Sequence, residues 1–242
     1  MGTSSARRGP TGRLWRLAKG AATRYLSPAN AGAVAAQEVA ARYVAALGAE
    51  AESGLAGALA AWRRTRKAAQ NLGAFCCQVD SQGWPAALST WGFKDLPAAP
   101  ETMAQSLAAV LETAGGGLEQ AVAHTALMGV LLKLPEPGSS ASGPEAAQLV
   151  QNFLAAAFYA RLTLDLGESL EAAASGFSPL RQGLGAIATC IGLAVETGRP
   201  QVVQAPLTPE EWLGLPGWTW VTKLTEALMS NLSASQKSAH GR

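Results

Sequence analysis

The sequence predicts an all-α protein: a single-domain bundle of about seven helices around a central apolar helical hairpin, residues 144–197. Three observations carry this expectation. Apolar residues recur at helical spacing through most of the 242-residue chain. Alanine is abundant, and only 15% of residues are charged, against about 25% in an average globular protein, which implies much close-packed surface. The same helix-start pattern, proline followed by glutamate, recurs at Pro100-Glu101, Pro144-Glu145 and Pro209-Glu210.

The hairpin comes from two stretches. In 142–175, Leu149, Phe153, Ala156 and Ala160 recur at helical spacing, as do Val150, Leu154, Ala157, Phe158, Leu162 and Leu166. Together they exceed one amphipathic stripe, and a helix apolar on most sides is a buried one. Arg161 and Asp165 stand four apart and can pair. Gln151, Asn152, Arg161 and Asp165 interrupt the run, so it falls short of the roughly 20 apolar residues of a membrane span. The second stretch, 179–197, carries Leu184, Ile187, Ile191, Leu193 and Val195, with Gly183, Gly185 and Gly192 along it. Such small residues allow close approach between helices.

Charge is unevenly spread. Arg7, Arg8, Arg13, Arg16, Lys19 and Arg24 all precede the first acid, Glu38. Setting these six aside leaves 13 basic against 17 acidic residues, so the body carries a net −4 behind a basic leader. An acidic body argues against a nucleic-acid partner, which requires a basic face. Residues 1–27 are Arg-rich and acid-free. On a helix they place Leu14, Ala18, Ala21, Ala22 and Tyr25 opposite Arg13, Arg16 and Arg24. This is the composition of a mitochondrial transit peptide, with a flexible basic arm in a cytoplasmic protein as the alternative. Trp15 would suit an interfacial helix on an anionic membrane. Arg13, Arg16, Lys19 and Arg24 are its targeting or anionic-surface contacts.

In chain order, Ser27-Pro28 opens a helical domain, 28–232, with a helix ending near Gly48 and another over 55–75. On the latter, Arg63, Arg64, Arg66 and Lys67 span a broad arc, either a solvated face or a contact for phosphate or anionic lipid. Residues 78–100 read as an irregular connector broken by Gly83, Pro85, Gly92, Pro97 and Pro100. It concentrates Trp84, Trp91 and Phe93. Helices follow from Pro100 to the triple glycine 115–117, and over 118–134, where His124 lies without a second metal ligand at helical spacing. The Pro/Gly/Ser stretch 135–144 is the candidate for a mobile loop or a two-lobe boundary, near 135–143. Thr208-Pro209-Glu210-Glu211 is an N-cap signal. Trp212, Trp218 and Trp220 form a second aromatic cluster, broken by Gly214, Pro216 and Gly217, before a final helix and a disordered tail, 233–242.

Cys76, Cys77 and Cys190 are odd in number and fit buried small hydrophobes better than a disulfide framework. No Walker loop, Rossmann fingerprint, CxxC, HExxH or GxSxG occurs, so no residue is named as catalytic, cofactor-binding or metal-ligating. The expected function is therefore a non-enzymatic accessory or scaffold subunit of a larger, organellar, membrane-associated assembly. Its protein partners, in a hetero- or homo-oligomer, would meet Trp84, Trp91, Phe93, Trp212, Trp218 and Trp220. The alternative is a soluble carrier holding an apolar ligand between helices, against Phe153, Phe158, Leu162 and Ile187.

Overall fold

The computed structural model describes residues 11–30, 32, 34–49, 54–94, 99–112, 115–134, 145–198 and 206–239. The leader's first residues with Arg7 and Arg8, the proposed lobe boundary, the segment before Leu207 and the end of the tail with His240 lie outside the described residues. Every regular element described is helical. The helices are α1 (Arg13–Leu26), α2 (Ala36–Ala49), α3 (Leu55–Ala61), α4 (Arg63–Gln82), α5 (Trp84–Thr90), α6 (Pro100–Leu111), α7 (Leu118–Leu131), α8 (Ala146–Ala173), α9 (Phe177–Thr197), α10 (Pro209–Leu213) and α11 (Leu215–Ala239). A 3-10 turn, Pro28–Asn30, follows α1.

The described residues thus hold eleven α-helices rather than seven, because glycines and prolines read as loop signals punctuate helices instead. Gly83, at φ +79°, makes a sharp step between α4 and α5, and Pro85 sits in the first turn of α5, where its missing N–H costs nothing. Most of the expected connector is therefore helical. Pro216 likewise lies in the first turn of α11, which then runs unbroken to Ala239, past the expected start of the tail.

The other helices gather round α8. It packs against α1, α4, α7 and α9, and its Leu149, Val150, Phe153, Leu154, Phe158, Leu162, Leu166 and Leu170 are buried. Its neighbour α9 buries Gly183, Ile187, Ile191, Ala194 and Val195, packs Leu180, Leu184 and Cys190 partly against the core, and leaves its opposite side in solvent. The centre of the fold is α8 with α1, α4 and α7, more than the α8–α9 hairpin. Buried residues from α1 through α11 belong to one hydrophobic cluster.

Residues 13–26, expected in a loosely held leader, contribute one side to that cluster. Trp15, Ala18, Ala21 and Ala22 of α1 are buried against α2 and α8, because the amphipathic pattern that suits a membrane suits a protein core equally well. Trp15 meets Tyr43 edge-on at 5.7 Å, Tyr43 meets Phe158 at 5.6 Å, and Phe158 meets Trp62 at 5.5 Å. Four rings from α1, α2, α8 and the α3–α4 junction thus run through the core. A polar knot lies beside them. Arg161 Nε and Tyr43 OH each donate to Asp165 Oδ2 at 2.8 Å. The expected i, i+4 pair is formed within α8, and a second helix, α2, joins it.

Candidate functional site

The basic arc of α4 and the second tryptophan cluster, distant in sequence, meet in space. Arg63, Arg64, Arg66 and Lys67 occupy the first two turns of α4, and α10 and α11 pack across that helix. The α10 stub starts with a reciprocal cap. Thr208 Oγ1 accepts from Glu211 N at 3.2 Å, and Thr208 N donates to Glu211 Oε2 at 2.9 Å. That cap aims Trp212 inward. Its indole lies against Gly73 of α4 and meets Trp220 edge-on at 5.3 Å. Gly214 then turns the chain into α11. Leu213 and Leu215, on either side of it, project outward and are 44% and 75% exposed.

The four cations diverge. Arg66 is buried. Its Nη1 donates to Thr222 Oγ1 at 2.8 Å, its Nη2 to Leu59 O at 2.9 Å, and its guanidinium lies 4.6 Å from the Trp218 ring centroid. It is a bracket joining α3, α4 and α11, not a surface contact. Burial lowers its pKa, while Glu226 and Glu119 act in the opposite direction. Arg64 reaches sideways, donating to Gly116 O at 2.7 Å across the glycine link of α6 and α7. Lys67 donates to Gln70 Oε1 at 2.8 Å, and Gln70 Nε2 to Gly214 O at 2.8 Å, which ties α4 to the turn before α11. Arg63 is exposed.

Arg63, Arg64, Lys67 and Gln70 form one wall of an open groove of about 690 Å³, and Leu213, Gly214, Leu215 and Trp218 form the other. No carboxylate is among the described residues that line it. The first turn of α4 holds no acid, so these cations stand at the positive end of a 20-residue helix. Glu119 of α7 offsets part of that charge by accepting from Thr65 N at 2.9 Å. Burial pulls the Lys67 ammonium below the ordinary lysine range. An anion placed in the groove would favour the charged form again. The groove can therefore grip an acidic group on one wall and rest an apolar one on the other.

The remaining expected residues lie elsewhere. Trp84 and Trp91 pack edge-on to Phe75 at 5.6 and 6.4 Å, Trp91 Nε1 donates to Gln78 Oε1 at 2.6 Å, and Phe93 is half-buried against the same core. None of the three lines the groove, nor do Trp212 and Trp220, which are buried beneath it. Arg13, Arg16 and Arg24 are exposed on the outer side of α1 and Lys19 is half-buried. Phe153, Phe158, Leu162 and Ile187 are fully buried, and they line neither this groove nor a second one of about 550 Å³ between α2, α9 and α11. His124 Nδ1 lies 3.3 Å from Glu112 Oε2, at the junction of α6 and α7. Among the described residues no three His, Cys, Asp or Glu side chains gather into a metal-holding group. No described helix is long and apolar enough to cross a membrane.

Sequence reasoning missed Gln70, Leu213, Gly214 and Leu215. The one available signal was the pair of leucines flanking Gly214 in a segment rich in helix breakers, where apolar side chains end up outside. No protein-family model matches the chain, and neither a curated protein nor a solved structure matches it.

Proposed function

We propose that this chain is a non-enzymatic helical accessory or scaffold subunit that docks a protein partner in the groove between α4 and the α10–α11 turn. One observation supports the reading above others: Arg63, Arg64 and Lys67 face Leu213, Leu215 and Trp218 with no carboxylate among the described lining residues. A solvated cationic face needs no apolar wall opposite it, and a leucine 75% exposed beside a half-buried tryptophan is the composition of an interface centre. The groove is concave, so it fits a protruding segment better than the plane of a bilayer. The complementary partner is an acidic segment bearing a large apolar side chain.

The test is photo-cross-linking in native cells from benzoylphenylalanine placed at Leu215. The expected product is one partner, mapped to an acidic segment, and lost in Arg63→Glu/Lys67→Glu but retained in Lys133→Glu in the turn after α7. Cross-links to lipid alone, or to a protein equally well captured by both reversed chains, would reject the reading.

A further inference from the structure

We propose that the outer face of α9 docks a second copy of this chain, the two helices packing antiparallel about a two-fold axis between Ala188 and Thr189. The inference is independent of the groove on α4. With Ile187 and Ile191 turned inward, α9 presents Arg181, Gly185, Ala188, Thr189 and Glu196 to solvent. Between Arg181 and Glu196 the helix carries no charged side chain. Surface helices ordinarily put their charges on the solvent side. This one withholds them for four turns.

The charges that bound the face are self-complementary. In an isologous antiparallel pair, every residue faces the one placed symmetrically about the axis. Residues 181 and 196, 185 and 192, and 188 and 189 share one midpoint. The same axis that sets Arg181 against the second copy's Glu196 sets Gly185 against its Gly192. Arg181 and Glu196 are exposed, and neither takes part in an ion pair among the described residues. A parallel pair would place like charges together. Charge thus selects a second copy in one orientation.

The glycines fit the same occupant. A side chain at Gly185 or Gly192 would meet nothing within 4 Å, so the fold of one chain does not require either. Glycine weakens a helix relative to alanine, so Gly185, exposed, and Gly192, half-buried, are a cost without a return inside the monomer. Gly183 on the same helix is different, because Leu26 and Tyr25 crowd it. Against another helix, bare backbone at 185 and 192 permits close approach. Leu193, exposed at the edge of this face and lining the groove with α2 and α11, extends the apolar contact.

Sedimentation velocity on the full chain tests this with Arg181→Glu, Glu196→Arg and the double exchange. Self-association is expected in the original chain. Each single reversal should weaken it by about tenfold, since two symmetry-related pairs turn repulsive, and the double exchange should restore it to within about threefold. The pair Gly185→Leu/Gly192→Leu builds outward from positions where an added Cβ meets nothing within 4 Å; it should keep the helical circular-dichroism signal while abolishing the dimer. A chain that sediments as a monomer at all concentrations would overturn the proposal. So would a double exchange no better than the single reversals, or a dimer indifferent to the two leucines.

Discussion

The indole of Trp212 rests on Gly73 so closely that a methyl group there would stand 2.5 Å from Cε3 and 2.7 Å from Cδ2 and Cζ3. Gly73 is the floor on which α10 sits. Helix propensity alone would favour alanine at this mid-helix position by about 1 kcal/mol. Contact decides the sign the other way, because overpacking a filled core costs about 1–3 kcal/mol. Gly73→Ala should therefore destabilise the protein. Urea denaturation followed by tryptophan fluorescence checks this, and the emission of native Gly73→Ala should shift as Trp212 is displaced.

Tyr43 OH and Arg161 converge on Asp165, whose side chain is almost fully buried. A hydrogen bond to a charged group contributes about 1.5–3 kcal/mol, so Tyr43→Phe should lose about that amount without opening a cavity. Chemical denaturation of the single variant, and of its combination with Asp165→Asn, tests the coupling. The two losses should be less than additive if they share one interaction.

Two N-terminal truncations test how much of the stability rests on α1. Trp15 is buried in α1, so Trp15→Ala should cost about 3–5 kcal/mol, and deleting 1–27 should leave the chain unfolded or aggregated. Deleting only 1–11 spares α1 and should leave the melting transition intact. Both deletions read by thermal circular dichroism make the comparison.

The three free thiols should be sluggish. Burial pushes the Cys76 thiol far above its usual range, with Asp80 and Cys77 adding to the shift. Burial also raises Cys77, reinforced by Asp80 and Glu210, and it raises Cys190. A raised pKa leaves less thiolate at any given pH, so alkylation should be slower than for a free thiol and should keep accelerating above the pH where a free thiol levels off. Cys76 should be labelled only when the chain is unfolded. Peptide mapping after iodoacetamide treatment, with and without urea, reads all three.

The all-helical class, the Arg161–Asp165 pair and the Thr208–Glu211 cap were legible because each depends on residues within one turn of each other. The relationships that build the groove were not. Arg63, Arg64, Arg66 and Lys67 look alike along a helix, and only the position of Thr222 and Leu59 decides that Arg66 turns inward. Pro216 has the same sequence signature in a loop as in the first turn of a helix, so α11 read as broken. The same limit applies to residues 13–26. An amphipathic pattern states that one side of α1 is apolar, but not whether lipid or Tyr43 covers it.

The docking of α1 also has a consequence in time. Tyr25 OH donates to Gly183 O at 3.1 Å, a partner that lies 158 residues further along the chain. A ribosome adding about 5–20 residues per second needs on the order of ten seconds to supply it. During synthesis the apolar side of α1 emerges first and waits for α8 and α9, with Arg13, Arg16 and Arg24 on its back. For that interval an apolar helix face is open to wrong contacts, and only completion of α8 and α9 hides it.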